Sequence, residues 1–172
     1  MPIEIVRASY GQVEPLFVEL DADLDERYGV GQPVQVDESQ FASLQGALFI
    51  ALLPSAANGD DPIAGCAGVR PHTAGIAELK RMYVRPAARR HGVARALLQA
   101  CEEFAGAAGY TELWLETGMA QPEALTLYRS AGYRPVPRFG QYADATDARH
   151  LGRRLSTPSE QTGDPAGVTR QT

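Results

Sequence analysis

Along the chain, apolar and polar positions change period several times, and each change predicts an element. Ile3-Glu4-Ile5-Val6-Arg7 alternates and reads as a first strand. Val13, Leu16, Phe17, Leu20 and Leu24 then recur at spacings of three and four, which predicts a helix. Its other face is acidic, with Glu14, Glu19, Asp21, Asp23, Asp25 and Glu26. Gly29, Gly31 and Pro33 break that helix, and a second short one is expected over Glu38–Leu44. Ala47–Leu52 is a near-continuous apolar run, as expected of a strand covered on both faces. The turn chemistry of Asn58-Gly59-Asp60-Asp61 predicts that Ile63–Val69 returns antiparallel as its hairpin partner. Ala74-Gly75 marks another turn before a strand over Ile76–Val84.

That strand breaks its own period. Leu79, Met82 and Val84 read as core-facing, yet Leu79 and Met82 are three apart, and strict alternation sends them to opposite faces. One extra residue near Lys80-Arg81, a β-bulge, reconciles them; a strand with two apolar faces is the alternative.

Pro86 stops the strand, and Gly92–Ala108 is the clearest helix, with Val93, Leu97, Cys101, Phe104 and Ala108 on one face and Gly109 at its end. Thr111–Thr117 alternates as a fifth strand. Pro122 opens another helix that carries Leu125 and Tyr128 one turn apart and closes at Gly132. Tyr133 resumes an extended segment, and His150–Leu155 reads as a last strand. The expected architecture is α/β: one mixed central sheet of about seven strands with helices on both faces. One domain spans 1–155, and 156–172, rich in Ser, Thr, Pro, Gly and Gln, is expected to be a flexible tail.

Composition narrows the function. The 172 residues suit one domain, and 44% hydrophobic content suits a packed core. A net charge of −5 argues against a nucleic-acid partner. No apolar run approaches a membrane span and the first ten residues lack a signal-peptide layout, so a cytoplasmic protein with no membrane partner is expected. Cys66 and Cys101 have neither metal-ligand nor redox spacing, and no metal is expected.

Chemistry concentrates between Val84 and Arg95, V-R-P-A-A-R-R-H-G-V-A-R. There a strand ends, a loop crosses and a helix begins at a glycine. The first turn of a helix has amide hydrogens without intrahelical partners and a partial positive charge, and an anion satisfies both. Gly92 lets the backbone approach a bulky diphosphate, and Ala94 stays small for the same reason. Arg89, Arg90, His91 and Arg95 gather donors and cations at a helix end that disfavours them unless an anion answers. The loop lacks the Gly-Lys-Ser/Thr ending of a nucleotide-phosphate enzyme.

R-R-H-G-V-A resembles the Gln/Arg-x-x-Gly-x-Gly/Ala motif of the GNAT superfamily of N-acetyltransferases. E-L-K-R-M-Y-V resembles that family's fourth strand, and L-Y-R-S-A-G-Y its tyrosine-bearing helix and following strand. The similarity runs from about Ile3 to Leu155 and is most specific from Glu78 to Tyr133. It implies acetyl-coenzyme A as co-substrate. The strand Met82-Tyr83-Val84 would meet the pantetheine arm through its main chain, and the segment Arg89, Arg90, His91, Gly92, Val93, Ala94 and Arg95 would hold the pyrophosphate.

The resemblance also implies transfer of the acetyl group to a primary amine of a small-molecule or peptide acceptor. Such amines have pKa values near 10 or above and must lose a proton. Glu78 is the candidate general base, or else a salt-bridged strand residue. Tyr128 is the candidate general acid toward the coenzyme sulfur, or else a core tyrosine. Glu116, Thr117 and Gln121 are candidates to line the acceptor cleft. The acidic helix face fits a cationic acceptor or plain solvation, and Arg70 with His72 fits an acidic acceptor. A non-catalytic acyl-coenzyme A sensor is the alternative function, and an exposed C-terminal strand edge leaves room for a homodimer.

Overall fold

The computed structural model describes residues 2–31, 36–54 and 61–156. Strand β1 (Glu4–Arg7) leads into helix α1 (Tyr10–Tyr28) and a single-turn helix α2 (Ser39–Ala42). Strands β2 (Ala47–Leu52), β3 (Ile63–Thr73) and β4 (Ile76–Val84) follow as a meander. Helix α3 (Val93–Ala107), strand β5 (Glu112–Gly118), helix α4 (Pro122–Ser130) and strands β6 (Arg134–Pro135) and β7 (Ala148–Arg154) complete the order. The seven strands form one sheet in the order β1-β2-β3-β4-β5-β7-β6, antiparallel everywhere except between β4 and β5. The α/β architecture expected from the sequence is the one observed.

The sheet separates two cores. On one face, Val13, Leu16, Phe17 and Leu20 of α1 pack with Phe41, Leu48, Ile50, Cys66 and Tyr83. On the other, Val93, Leu97, Leu98, Cys101 and Ala105 of α3 join Tyr128 of α4 over Val69, Leu79, Leu113, Leu115 and Leu151. The predicted faces of α1 and α3 are therefore the buried ones. Leu98 and Ala105 widen the α3 face, while Phe104 lies only partly buried at its margin.

The period break in β4 has its expected cause. Pairing with β3 runs Cys66↔Tyr83 and then Gly68↔Lys80, so Arg81 and Met82 together face Ala67. Arg81 adopts φ 57°, in the left-handed region. This bulge returns Met82 and Val84 to the core of Leu79 and leaves Arg81 and Tyr83 facing α1.

Two expectations shift at their edges. Helix α2 stops at Ala42, because Ser43 is extended and Leu44, 96% exposed, has nothing to pack against. Strand β7 lies between β5 and β6 and is not a free edge throughout, since Arg134 and Pro135 pair with Gly152 and Leu151. The proposed tail and the turn at Asn58-Gly59-Asp60 lie outside the described residues, apart from Ser156 at the start of that tail.

Candidate active site

Strands β4 and β5 pair in parallel only from Ile76↔Glu112 to Leu79↔Leu115. Beyond that point they part, two residues before the bulge at Arg81. The main chain of Lys80–Val84 thus keeps its β5-facing donors and acceptors unpaired with β5, and backbone groups left so require an outside partner. A cleft of about 1500 Å3 opens there and continues from the first turn of α3 to the ends of α1 and β5.

At one end of the cleft lies the turn into α3. Arg90 (φ 66°) and Gly92 (φ 85°) both take left-handed backbone and turn the chain sharply into α3. No side chain caps the helix, and Ala96 is the first amide to find an intrahelical acceptor, Gly92 O at 3.0 Å. The amides of Val93, Ala94 and Arg95 therefore have no hydrogen-bond partner among the described residues. A Cβ on Gly92 would meet only Ile3 Cδ1, at 3.8 Å. The protein itself leaves the space open, and the glycine answers to its φ and to whatever binds outside.

The cations around this turn are unequal. Arg90 has no ion-pair partner among the described residues. Arg89 donates to Val84 O and to Asp23 Oδ1, each at 3.0 Å. Arg95 reaches Ser130 Oγ at 2.7 Å. His91 is exposed, its Nδ1 is 2.8 Å from Arg89 O, and it stands outside the cleft lining.

At the far end lie Glu116, Thr117, Gly118 and Gln121, with Tyr28 from α1 and Tyr142 from the β6–β7 loop. Tyr28 crosses from α1 onto Gly118, and a Cβ there would displace the phenol oxygen. Glu116 is largely buried, and His150 Nε2 lies 3.2 Å from its Oε2. Burial raises the Glu116 carboxyl above the ordinary range, while Lys80 and His150 pull against that and Glu78 adds to it.

Glu78 is held by two cations instead. Its buried carboxylate is held by Arg70 at 2.9 Å and by Lys80 at 3.4 Å, and it is not among the cleft-lining side chains. Tyr128 does line the cleft, 5% exposed, with its ring edge-on to Tyr133. Its hydroxyl has no hydrogen-bond partner among the described residues, and burial raises its pKa.

Half of the acidic face of α1, namely Glu19, Asp21 and Asp23, pairs with arginines. Asp21 pairs with Arg81 at 2.7 Å, Glu19 with Arg85 at 2.9 Å, and Asp23 with both Arg27 and Arg89. Three of these arginines, 81, 85 and 89, come from the bulge, the end of β4 and the loop before α3. Arg70 is likewise committed to Glu78 and Gln40, and His72 packs against Trp114 and Phe139. His150 escapes a sequence reading because its partner is 34 residues away and only the β5–β7 register sets it opposite Glu116. Among the described residues no group of three metal-ligating side chains converges, and no helix is long and apolar enough to cross a membrane.

The fold is shared with solved structures. An acetyltransferase of the GNAT family from Staphylococcus aureus Mu50 superposes with a TM-score of 0.69 at 17% identity, over 90% of this chain and 100% of that one. A GCN5-related N-acetyltransferase from Kribbella flavida gives 0.62 at 22% identity, over 89% and 98%. At these identities the likeness establishes the fold. The model of the acetyltransferase (GNAT) family matches residues 17–133, and the chain belongs to that family. An IAA acetyltransferase of Azospirillum brasilense is 41% identical over 81 residues, 46% of this chain. The match covers 53% of that relative, so the chain spans about half its length.

Proposed function

We propose that this protein transfers an acetyl group from acetyl-coenzyme A to a primary amine. The observation that carries the reading is the continuity of one cleft from the unpartnered first turn of α3, along the unpaired edge of β4, to Glu116 and Tyr128.

The amides of Val93, Ala94 and Arg95, with the side chains of Arg89, Arg90 and Arg95, would hold the diphosphate. The main chain of Met82, Tyr83 and Val84 would pair with the amides of the pantetheine arm, taking the place that β5 leaves. When bound, acetyl-coenzyme A supplies a thioester carbonyl open to attack by a neutral amine. Glu116 is better placed than Glu78 to remove the acceptor's proton, because it faces the cleft and a raised pKa makes it a stronger base at neutral pH. Tyr128 Oη would donate a proton to the departing sulfur, and a hydroxyl without a protein partner is available for that bond.

Thiol release on incubation with acetyl-coenzyme A and a panel of primary amines tests this. The panel comprises butylamine, spermidine, lysine and a peptide with a free amino terminus. Amine-dependent thiol release with an acetylated product supports the reading. Coenzyme binding without turnover of any amine would favour a sensor instead.

A further inference from the structure

We propose that His150 is a positioning residue for the acceptor's base: it donates Nε2–H to Glu116 Oε2 and so leaves Oε1 to meet the substrate amine. This rests on the reading of the cleft as an N-acetyltransferase site.

The two residues are directly opposed in the antiparallel ladder of β5 and β7, so their side chains leave the sheet on one face. The gap is 3.2 Å, and the side chains are 2% exposed for His150 and 11% for Glu116. Such a pair has little freedom to trade partners with water. The imidazole is also fixed from its side by the Phe139 ring, edge-on at 5.1 Å. On the other flank, a Cβ added at Gly140 of the β6–β7 loop would lie 3.9 Å from Glu116 Oε2, in ordinary contact. Oε2 is the oxygen that faces His150. Oε1 has no hydrogen-bond partner among the described residues.

An ionised carboxylate beside a neutral ring selects the Nε2–H tautomer, because the other tautomer would point a lone pair at it. The charged and titratable groups facing Glu116 are Lys80 and Glu78 of β4 and His150 of β7. His150 and Lys80 favour the ionised carboxylate, while Glu78 and burial oppose it. A single donated hydrogen bond thus does two things. It orients the carboxylate, and it keeps the base deprotonated to lower pH than burial alone would allow.

His150→Phe retains the packing and loses the donor; His150→Gln places an amide N–H near the position of Nε2 and restores it. With the fastest amine of the panel, His150→Phe should lower kcat about 10- to 100-fold and move the acid limb of the pH profile to higher pH. The coenzyme KM should change less than about twofold. His150→Gln should recover most of the rate and return the limb toward its original position. If the glutamine variant were as impaired as the phenylalanine one, or if the limb stayed in place in both, the proposal would be wrong.

A second measurement needs neither turnover nor coenzyme. In 15N-histidine-labelled protein the Nε2–H proton of His150 should be shifted downfield and protected from solvent exchange by its bond to Glu116, and Glu116→Leu should move it upfield. An Nε2–H resonance unchanged in Glu116→Leu would overturn the pairing even if amine turnover were absent and the proposed function had already failed.

Discussion

Asp23 on α1 and Arg89 in the loop before α3 meet at 3.0 Å, and Asp23 also holds Arg27 at 2.8 Å. Arg27 in turn pairs with Glu123 at the start of α4 and donates to Ala120 O. This chain of charges ties α1 to both banks of the cleft. A diphosphate on the first turn of α3 must share Arg89 with a carboxylate. Asp23→Asn should therefore tighten coenzyme A binding by about two- to fivefold, the scale of a partly exposed ion pair. Isothermal titration of coenzyme A into both proteins reads the difference, and weaker binding by the variant would mean that Asp23 serves the site by orienting Arg89.

Arg90 and Gly92 share the left-handed backbone but should respond in opposite ways. Arg90→Gly relieves a side chain at φ 66° and should stabilise the fold by about 0.5–1 kcal/mol, while removing a cation and weakening coenzyme binding. Gly92→Val forces a β-branched residue to φ 85° and should cost about 1–2 kcal/mol of stability, with a larger loss of coenzyme affinity. Thermal melts alongside titrations separate the two effects. A neutral Arg90→Gly in both readouts would remove that loop from the site.

Tyr128→Phe deletes a hydroxyl that has no partner among the described residues, so folding should be unaffected or slightly improved. Turnover should fall about 100-fold or more while coenzyme affinity stays within about twofold. Equal turnover would assign Tyr128 to the core alone.

Glu116 predicts a stability that depends on pH. Burial raises its folded pKa above the unfolded value, so its favourable contribution is complete below the unfolded pKa and is lost as pH rises through the folded one. Glu116→Gln should then melt at a higher temperature than the parent at about pH 8, and the gap should close toward pH of about 4. Acetyl transfer by this variant should be nearly abolished. A gap that widened on acidification would show that Glu116 is stabilised as an anion.

Local pattern made much of this fold legible. Helix α3 can be read because its apolar positions, Val93, Leu97 and Cys101, keep period 3.6 on the face that is buried. The bulge can be read because a strand has a strict period and Leu79-x-x-Met82 violates it. The sharp turn into α3 can be read because glycine and arginines at a helix start need a reason. What escapes is long-range. The pairing of Glu78 with Arg70 is set by the β3–β4 register. Glu19, Asp21 and Asp23 of the acidic stripe of α1 look solvated until Arg81, Arg85 and Arg89 come up beside them. The insertion of β7 between β5 and β6, which creates the Glu116–His150 pair, leaves no trace in hydrophobic spacing.

A titration of the 15N-labelled protein with acetyl-coenzyme A, followed by amide NMR, bears most directly on the cleft. Diphosphate binding to the first turn of α3 predicts large, saturable shifts for Val93, Ala94 and Arg95, accompanied by Met82, Tyr83 and Val84 along β4. Saturation with those amides unmoved, or no response at all, would contradict it.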